Sequence, residues 1–317
     1  MNVARGRVLI AIGGNAMTDE QGGATPEAQI AAIERTMERV GDVVLAGHSV
    51  VLTHGNGPQV GNLLVKNEVA ASVVPPVPLD WCGAQTQGTI GFMMLNALDR
   101  VLAERGVVRG VAAVVSRTLV AAADEGFSHP TKPIGRYLPE AEARVMIEHG
   151  QTWEDRGAKG WRRVVASPEP LEVLDAPAVR ALVEAGFIVI AAGGGGIPVV
   201  RRDGRIAGIE AVIDKDLAAA VLARAVAATV LVIATDVENA ALAFGTPQQR
   251  PIGAVTAREL RELAAAGHFA SGSMGPKVEA AVRFVEAGGR RAVITSLDRI
   301  ADAVDGAAGT VVEIADR

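Results

Sequence analysis

Val8-Leu9-Ile10-Ala11-Ile12-Gly13-Gly14-Asn15-Ala16 is the stretch that decides how the rest of the chain is read. Five uninterrupted apolar residues have the length of a strand buried on both faces, and the glycine pair that stops them leaves bare backbone at the strand end. An open antiparallel sheet would alternate apolar and polar residues. A continuous run instead belongs to a mainly parallel sheet covered by helices.

The same pattern recurs outward along the chain. Residues 50–53 form a second apolar run, which ends in His54-Gly55-Asn56-Gly57-Pro58, and further runs occupy 111–115, 187–191, 230–234 and 292–294. Helical periodicity fills 26–46, 58–71, 88–104, 176–185, 217–224 and 277–287. The expected fold is a single α/β domain over 1–317, a three-layer α/β/α sandwich around a mainly parallel sheet. Residues 197–206 predict a hairpin, because Asp203-Gly204 is a turn pair between apolar flanks. Residues 120–165 break the rhythm with Pro130, Pro133, Pro139, Trp153, Trp161 and the charged run Glu154-Asp155-Arg156. They read as an excursion from the sheet, either a small protruding lid or an ordinary surface insertion. It separates an N-terminal part, 1–119, from a C-terminal part, 166–317.

Composition limits the function classes. The 317 residues are 49% hydrophobic and 21% charged, enough for a substantial core. A net charge of −5 gives no basic field for nucleic acid or anionic lipid. The first apolar run is too short for a signal-peptide core or a membrane span, so no membrane association is expected. The single cysteine, Cys82, rules out an intramolecular disulfide and fits a reducing compartment, with the cytoplasm as the expected location.

Four segments have the character of a phosphoryl-transfer site. Gly13-Gly14-Asn15 and Gly55-Asn56-Gly57 are glycine loops at successive strand ends, where an anion can approach the backbone and an Asn amide can donate to it. Val212-Ile213-Asp214-Lys215-Asp216 and Gly272-Ser273-Met274-Gly275-Pro276-Lys277 each put a lysine at a helix start. A cation there opposes the helix dipole, a placement that an anionic ligand would repay. Capping is the plain reading of Asp216, and Ser273 is a second candidate cap. Gly193 to Gly196 lack the spacing of a dinucleotide fingerprint and serve either as a phosphate cradle or as a turn into the hairpin. His54 is expected to hydrogen-bond locally. Residues 90–102, with Met93, Met94, Leu95 and Leu98, carry more apolar surface than one helix face needs, and form either a dimer surface or a core helix.

Taken together, Gly13-Gly14-Asn15-Ala16, residues 53–61, Pro130-Thr131-Lys132-Pro133-Ile134-Gly135, residues 192–199, residues 208–216 and residues 272–280 resemble the carbamate kinases, a branch of the amino acid kinase fold family. The motifs follow in order over nearly the whole chain. The resemblance implies an eight-stranded sandwich, a homodimer and the Mg²⁺-dependent interconversion of ATP plus carbamate with ADP plus carbamoyl phosphate, in arginine or purine-derived catabolism. It implies that Gly13, Gly14, Asn15, Gly55, Asn56 and Gly57 surround the acceptor and the transferred phosphoryl group, and that Lys132 reaches that group from the lid. Lys215 and Lys277 would hold the nucleotide phosphates and Asp216 would orient them. Gly194, Gly195, Asp214 and Met274 would complete the nucleotide side, with Asp214 the candidate acid nearest the metal and the Mg²⁺ held mainly by the phosphates. Other family members carry a lysine where this chain has Ala11, which raises the weight on Lys132. The chain departs from the pattern in the lid, where Arg136-Tyr137-Leu138 follows Pro-Ile-Gly and Asp124-Glu125-Gly126-Phe127 replaces an Asp-Pro turn. A kinase for a larger acid acceptor and a non-catalytic nucleotide sensor are the competing readings.

Overall fold

The computed structural model describes residues 6–17, 25–270 and 272–315. Its main sheet has eight strands, in the order Ala254–Thr256, Thr310–Glu313, Arg291–Ser296, Val230–Thr235, Arg7–Ile12, Ser49–His54, Ile188–Ile190 and Val111–Ala113. All neighbours run parallel except Arg291–Ser296 against Thr310–Glu313. The opening strand lies near the centre, as a run without polar residues must.

Alternate side chains of that strand enter different layers. Leu9 and Ala11 join Val51, Leu231, Ile233 and Ile294 beneath the helices Ala176–Glu184, Lys215–Ala225 and Met274–Glu286. Val8, Ile10 and Ile12 join Leu52, Val232 and Val293 against Pro26–Leu45, Leu79–Glu104 and Ile300–Val304. The sheet is thus the middle of a three-layer α/β/α sandwich. Ala11 is fully buried under the first of these helix layers, so a side chain there meets packed helix.

Register gathers the loops. Ile12 stands opposite both His54 and Ala234, and Thr235 opposite Ser296, so these strands finish at one edge of the sheet. Ligands of parallel sheets bind beyond that edge.

Besides the short pair Ala241–Leu242 and Arg250–Pro251, two smaller sheets flank the sandwich. Arg205–Gly208, Ile197–Arg202, Arg117–Leu119 and Glu172–Val173 make one, with the expected hairpin at its edge. Asp203 and Gly204 have φ of 49° and 75°, the positive pair that a type I′ turn requires. The other sheet orders Lys132–Leu138, Trp161–Val165 and Thr152–Asp155 antiparallel, with helix Glu140–Glu148 on it. Leu138, Ala143 and Trp153 give this protruding lid a small core of its own. Val120 packs instead with Val200, Ile213 and Ala218, and the lid sheet begins at Lys132.

Some elements depart from the sequence expectations. The helix expected at 88–104 begins at Leu79, because Cys82, Thr86 and Gln87 are buried although Gly83 and Gly88 weaken its propensity. Met94 and Leu98 are buried in the core, and Met93 and Leu95 pack against it, so these four residues are not spare surface. The large exposed apolar side chains of this helix are Trp81 and Phe92. Among the described residues no helix is long and apolar enough to cross a membrane.

Candidate active site

The strand ends open into a cleft of about 990 Å³ between the sheet edge and the lid. Its walls include Gly13, Gly14, Gly55, Asn56 and Gly57 from the two glycine loops, and Lys215, Asp216 and Lys277 from the two helix starts. Lys132 reaches it from the first lid strand, and Asp214 and Gly194 line it as well. Gly195 and Met274 are not on its walls. The Gly195 carbonyl accepts a 2.7 Å hydrogen bond from the Thr118 hydroxyl, and Met274 packs against the core. Asn15 falls in the short turn Gly14–Met17, and its side chain lies outside the described residues.

Close approach explains the glycines. A Cβ on Gly55 would stand 2.7 Å from the Gly14 nitrogen, so the two loops touch only because Gly55 carries no side chain. Gly194 has φ +67°, and a Cβ there would overlap the Asn56 amide. Two loop donors are already used in extending the sheet, since the Gly13 N–H donates to the Ala234 carbonyl at 3.0 Å and the Gly55 N–H to that of Ile12 at 2.9 Å. The donors left to a ligand include those at the start of helix Gly57–Ala70, where Asn56 does not cap but donates to Thr86 Oγ1 at 2.9 Å.

The charged groups are connected through two carboxylates. Asp214 is the helix cap: its Oδ1 accepts from the backbone N–H groups of Asp216 at 2.9 Å and Leu217 at 3.3 Å, and its Oδ2 takes Lys132 Nζ at 2.9 Å. Asp216, for which capping was the local reading while the resemblance set it beside the lysines, does not cap this helix. It sits in the first turn, only 3% exposed, and holds Lys215 on one oxygen and Lys277 on the other, the latter at 3.1 Å. Burial alone would raise the Asp216 pKa, but the two ammonium groups outweigh it and hold the carboxyl below the usual range. Ser273 precedes helix Met274–Glu286 without a side-chain capping bond, contrary to the expectation that it caps.

His54 is fully buried at its strand end. Burial lowers its pKa to about 4, and the nearby Lys215 pushes the same way against the hydrogen bond to the Gly55 carbonyl. The ring is neutral and holds that carbonyl at 2.8 Å through Nδ1.

Sequence reasoning did not single out other wall residues. Thr235 ends the strand Val230–Thr235 and Asp236 follows it at the same edge, and their hydroxyl and carboxylate are 2.9 Å apart. A polar pair directly after an apolar run was the available signal. Arg136 and Arg162 come from the lid, and no local pattern in the sequence points them at the cleft. Basic groups outnumber acidic ones on the walls, which suits a polyanion bound beside a small acceptor.

Known proteins resemble this chain over nearly its whole length. The amino acid kinase family model matches residues 6–296. A carbamate kinase of Thermococcus kodakarensis is 48% identical over 310 residues, 96% of this chain and 98% of the relative. Carbamate kinase 1 of Enterococcus faecium is 43% identical over 309 residues, again 96% of this chain and 98% of the relative. The structure of carbamate kinase from Giardia lamblia bound to AMP-PNP superposes with a TM-score of 0.93 at 40% identity, covering 98% of this chain and all of that one.

Proposed function

The chain belongs to the amino acid kinase family, among its carbamate kinases, and from that premise we propose that it transfers a phosphoryl group reversibly between ATP and carbamate. The observation that carries this reading is the pair of linked carboxylates. Asp216 presents two lysines from the helix starts, while Asp214, two residues away, holds the lysine of the lid. A cleft so built can grip a polyphosphate from below and the transferred group from above.

Phosphoryl transfer leaves little covalent work to the protein, because charge spreads over the equatorial oxygens of a loose transition state. Positioning and electrostatic stabilisation do the rest. In this reading Lys215 and Lys277 bind the nucleotide phosphates, with Gly194 and Asp214 on the same side. Gly13, Gly14, Asn15, Gly55, Asn56 and Gly57 enclose the acceptor. Lys132 exchanges its contact with Asp214 for the transferred phosphoryl group. Carbamate already carries an anionic oxygen, so no base has to remove a proton from it. The neutral, buried His54, with Nδ1 engaged by Gly55, agrees with that economy.

Mg²⁺ fits this site through the nucleotide. Among the described residues no group of three or more histidine, cysteine or acidic side chains is placed to hold a metal, and both Asp214 oxygens already accept hydrogen bonds. Bound to the phosphates, Mg²⁺ would supply neutralising charge to their oxygens, and Asp214, once Lys132 has left its Oδ2, would be its candidate ligand. A C₂ homodimer is part of the reading. Trp81 and Phe92 are 60% and 62% exposed, and their spacing, three helical turns, puts both on one face of Leu79–Glu104. The setting is carbamoyl phosphate catabolism, from arginine or purine-derived compounds, in the cytoplasm. The test is a coupled assay of ATP formation from ADP and carbamoyl phosphate with Mg²⁺. Turnover is expected with carbamate and not with N-acetylglutamate or aspartate, because the acceptor pocket lies between touching glycine loops. Robust phosphorylation of either amino acid would replace this reading with that of a larger-acid kinase.

A further inference from the structure

Arg162 stands apart from the other lid cations that reach the cleft. Lys132 is paired with Asp214 and Arg136 with Glu68 at 3.2 Å, and the neighbouring Arg163 faces Glu210 at 3.8 Å. Arg162 lines the cleft, yet among the described residues it has no carboxylate within ion-pair distance, and its Nε is buried without a hydrogen-bond partner. Glu154 stands opposite it on the adjacent strand but is taken by Arg156. A buried, unsatisfied guanidinium nitrogen is costly unless a partner arrives.

The side chain is held as if to receive one. Tyr137, the chain's single tyrosine, stands opposite Arg162 across the lid strands, beside a bulge between Ile134 and Tyr137. The guanidinium lies over its ring with 5.0 Å between carbon and centroid, and one terminal nitrogen is 3.4 Å from the phenolic oxygen. Stacking leaves charge and edge unspent, because a ring face attracts the cation without neutralising it. The edge of a guanidinium matches two oxygens of a phosphate or a carboxylate.

We propose that Arg162 is a substrate-binding residue of the lid: stacked on Tyr137, it takes the oxygens of the phosphorylated acceptor as that anion enters the cleft. This rests on the carbamate kinase reading above and adds a residue to it. Arg162 would act on the acyl phosphate, since it sits on the lid sheet, whereas Lys215 and Lys277 occupy helix starts at the sheet edge.

The test is steady-state kinetics of ATP formation by the full chain, wild type against Arg162→Gln and Arg162→Lys, with carbamoyl phosphate and ADP varied separately. In Arg162→Gln, KM for carbamoyl phosphate should rise by roughly tenfold or more, the loss expected for a charge-assisted contact, while KM for ADP and saturated kcat stay within about twofold. Arg162→Lys keeps charge without the fork and should fall between. Raising salt should weaken carbamoyl phosphate binding less in Arg162→Gln than in wild type. An unchanged KM for carbamoyl phosphate overturns the inference, and so does a parallel loss in KM for ADP and kcat, which marks a merely structural role. If Arg162→Gln does not fold, Arg162→Lys decides by the same split. Inactive wild type instead refutes the underlying reading, so the two failures are told apart.

Discussion

Asp216→Asn probes the centre of the site, because one buried carboxylate holds two lysines whose side chains are only 13% and 14% exposed. Removing one partner of a buried pair costs roughly 3–5 kcal/mol, and an Asn oxygen that still accepts one hydrogen bond lowers this to about 2–4 kcal/mol. Unfolding entropy near 2.1 cal/mol/K per residue, over 317 residues, makes that a fall in Tm of roughly 3–6 °C. The pH dependence has a definite sign. The native Asp216 pKa is depressed, so its contribution is complete above the unfolded value of about 3.9 and is lost only as pH falls through the lower native value. The Tm gap between wild type and variant should therefore persist down to about pH 4 and narrow only below it. With the lysines no longer fixed, kcat should drop by a factor on the order of 10² or more. Differential scanning calorimetry across pH, with the coupled ATP assay, reads both. A variant of wild-type Tm at neutral pH, or a gap that closes already between about pH 6 and 5, would falsify the assignment of a charged, lysine-paired Asp216.

Four further substitutions test the surroundings. Lys132→Ala should lose rate by a factor on the order of 10² while ADP binds with nearly normal affinity by calorimetry, whereas Lys277→Ala should weaken ADP as well; weak ADP binding with rate retained in Lys132→Ala would move that lysine to the nucleotide. His54 has a native pKa of about 4 against about 6.5 unfolded, so wild type loses stability as pH falls through that window, by about 2 kcal/mol between pH 7 and 5; His54→Asn should flatten this slope, and equal slopes in the two proteins would count against a neutral buried ring. Phe92→Glu, on the exposed face of Leu79–Glu104, should shift the particle from dimer to monomer mass in light scattering at micromolar concentration, and a wild-type monomer would rule the dimer out.

The interior was legible where burial imposes period. The run at 8–12 predicted a strand covered on both faces, and it lies between two parallel neighbours with alternate side chains in separate helix layers. The two strands beyond Arg291–Ser296 were not legible. Ala254–Thr256 and Thr310–Glu313 have three and four residues, and their place beyond Arg291–Ser296 comes from tertiary pairing rather than from a local run. The start of helix Leu79–Glu104 was hidden by glycines that cost propensity but face no obstacle to packing. Met93 and Leu95 looked like spare surface because sequence shows how apolar a helix is, not how many layers cover it.

The site divides along the same line. A lysine at a helix start is a local feature, and Lys215 and Lys277 could be proposed as anion ligands from their neighbours alone. Which carboxylate each one meets is decided at a distance: Lys277 reaches Asp216 across 61 residues and Lys132 reaches Asp214 across 82. Local reasoning accordingly gave the capping role to Asp216, when the backbone turn assigns it to Asp214 and frees Asp216 to face the lysines. This division of labour matters for chemistry. A carboxylate spent on helix donors and one lid lysine can release that lysine and remain satisfied by the backbone. The carboxylate between two lysines keeps both ammonium groups charged and fixed throughout. The first arrangement suits a group that must move to the transferred phosphoryl, and the second suits a floor that must not.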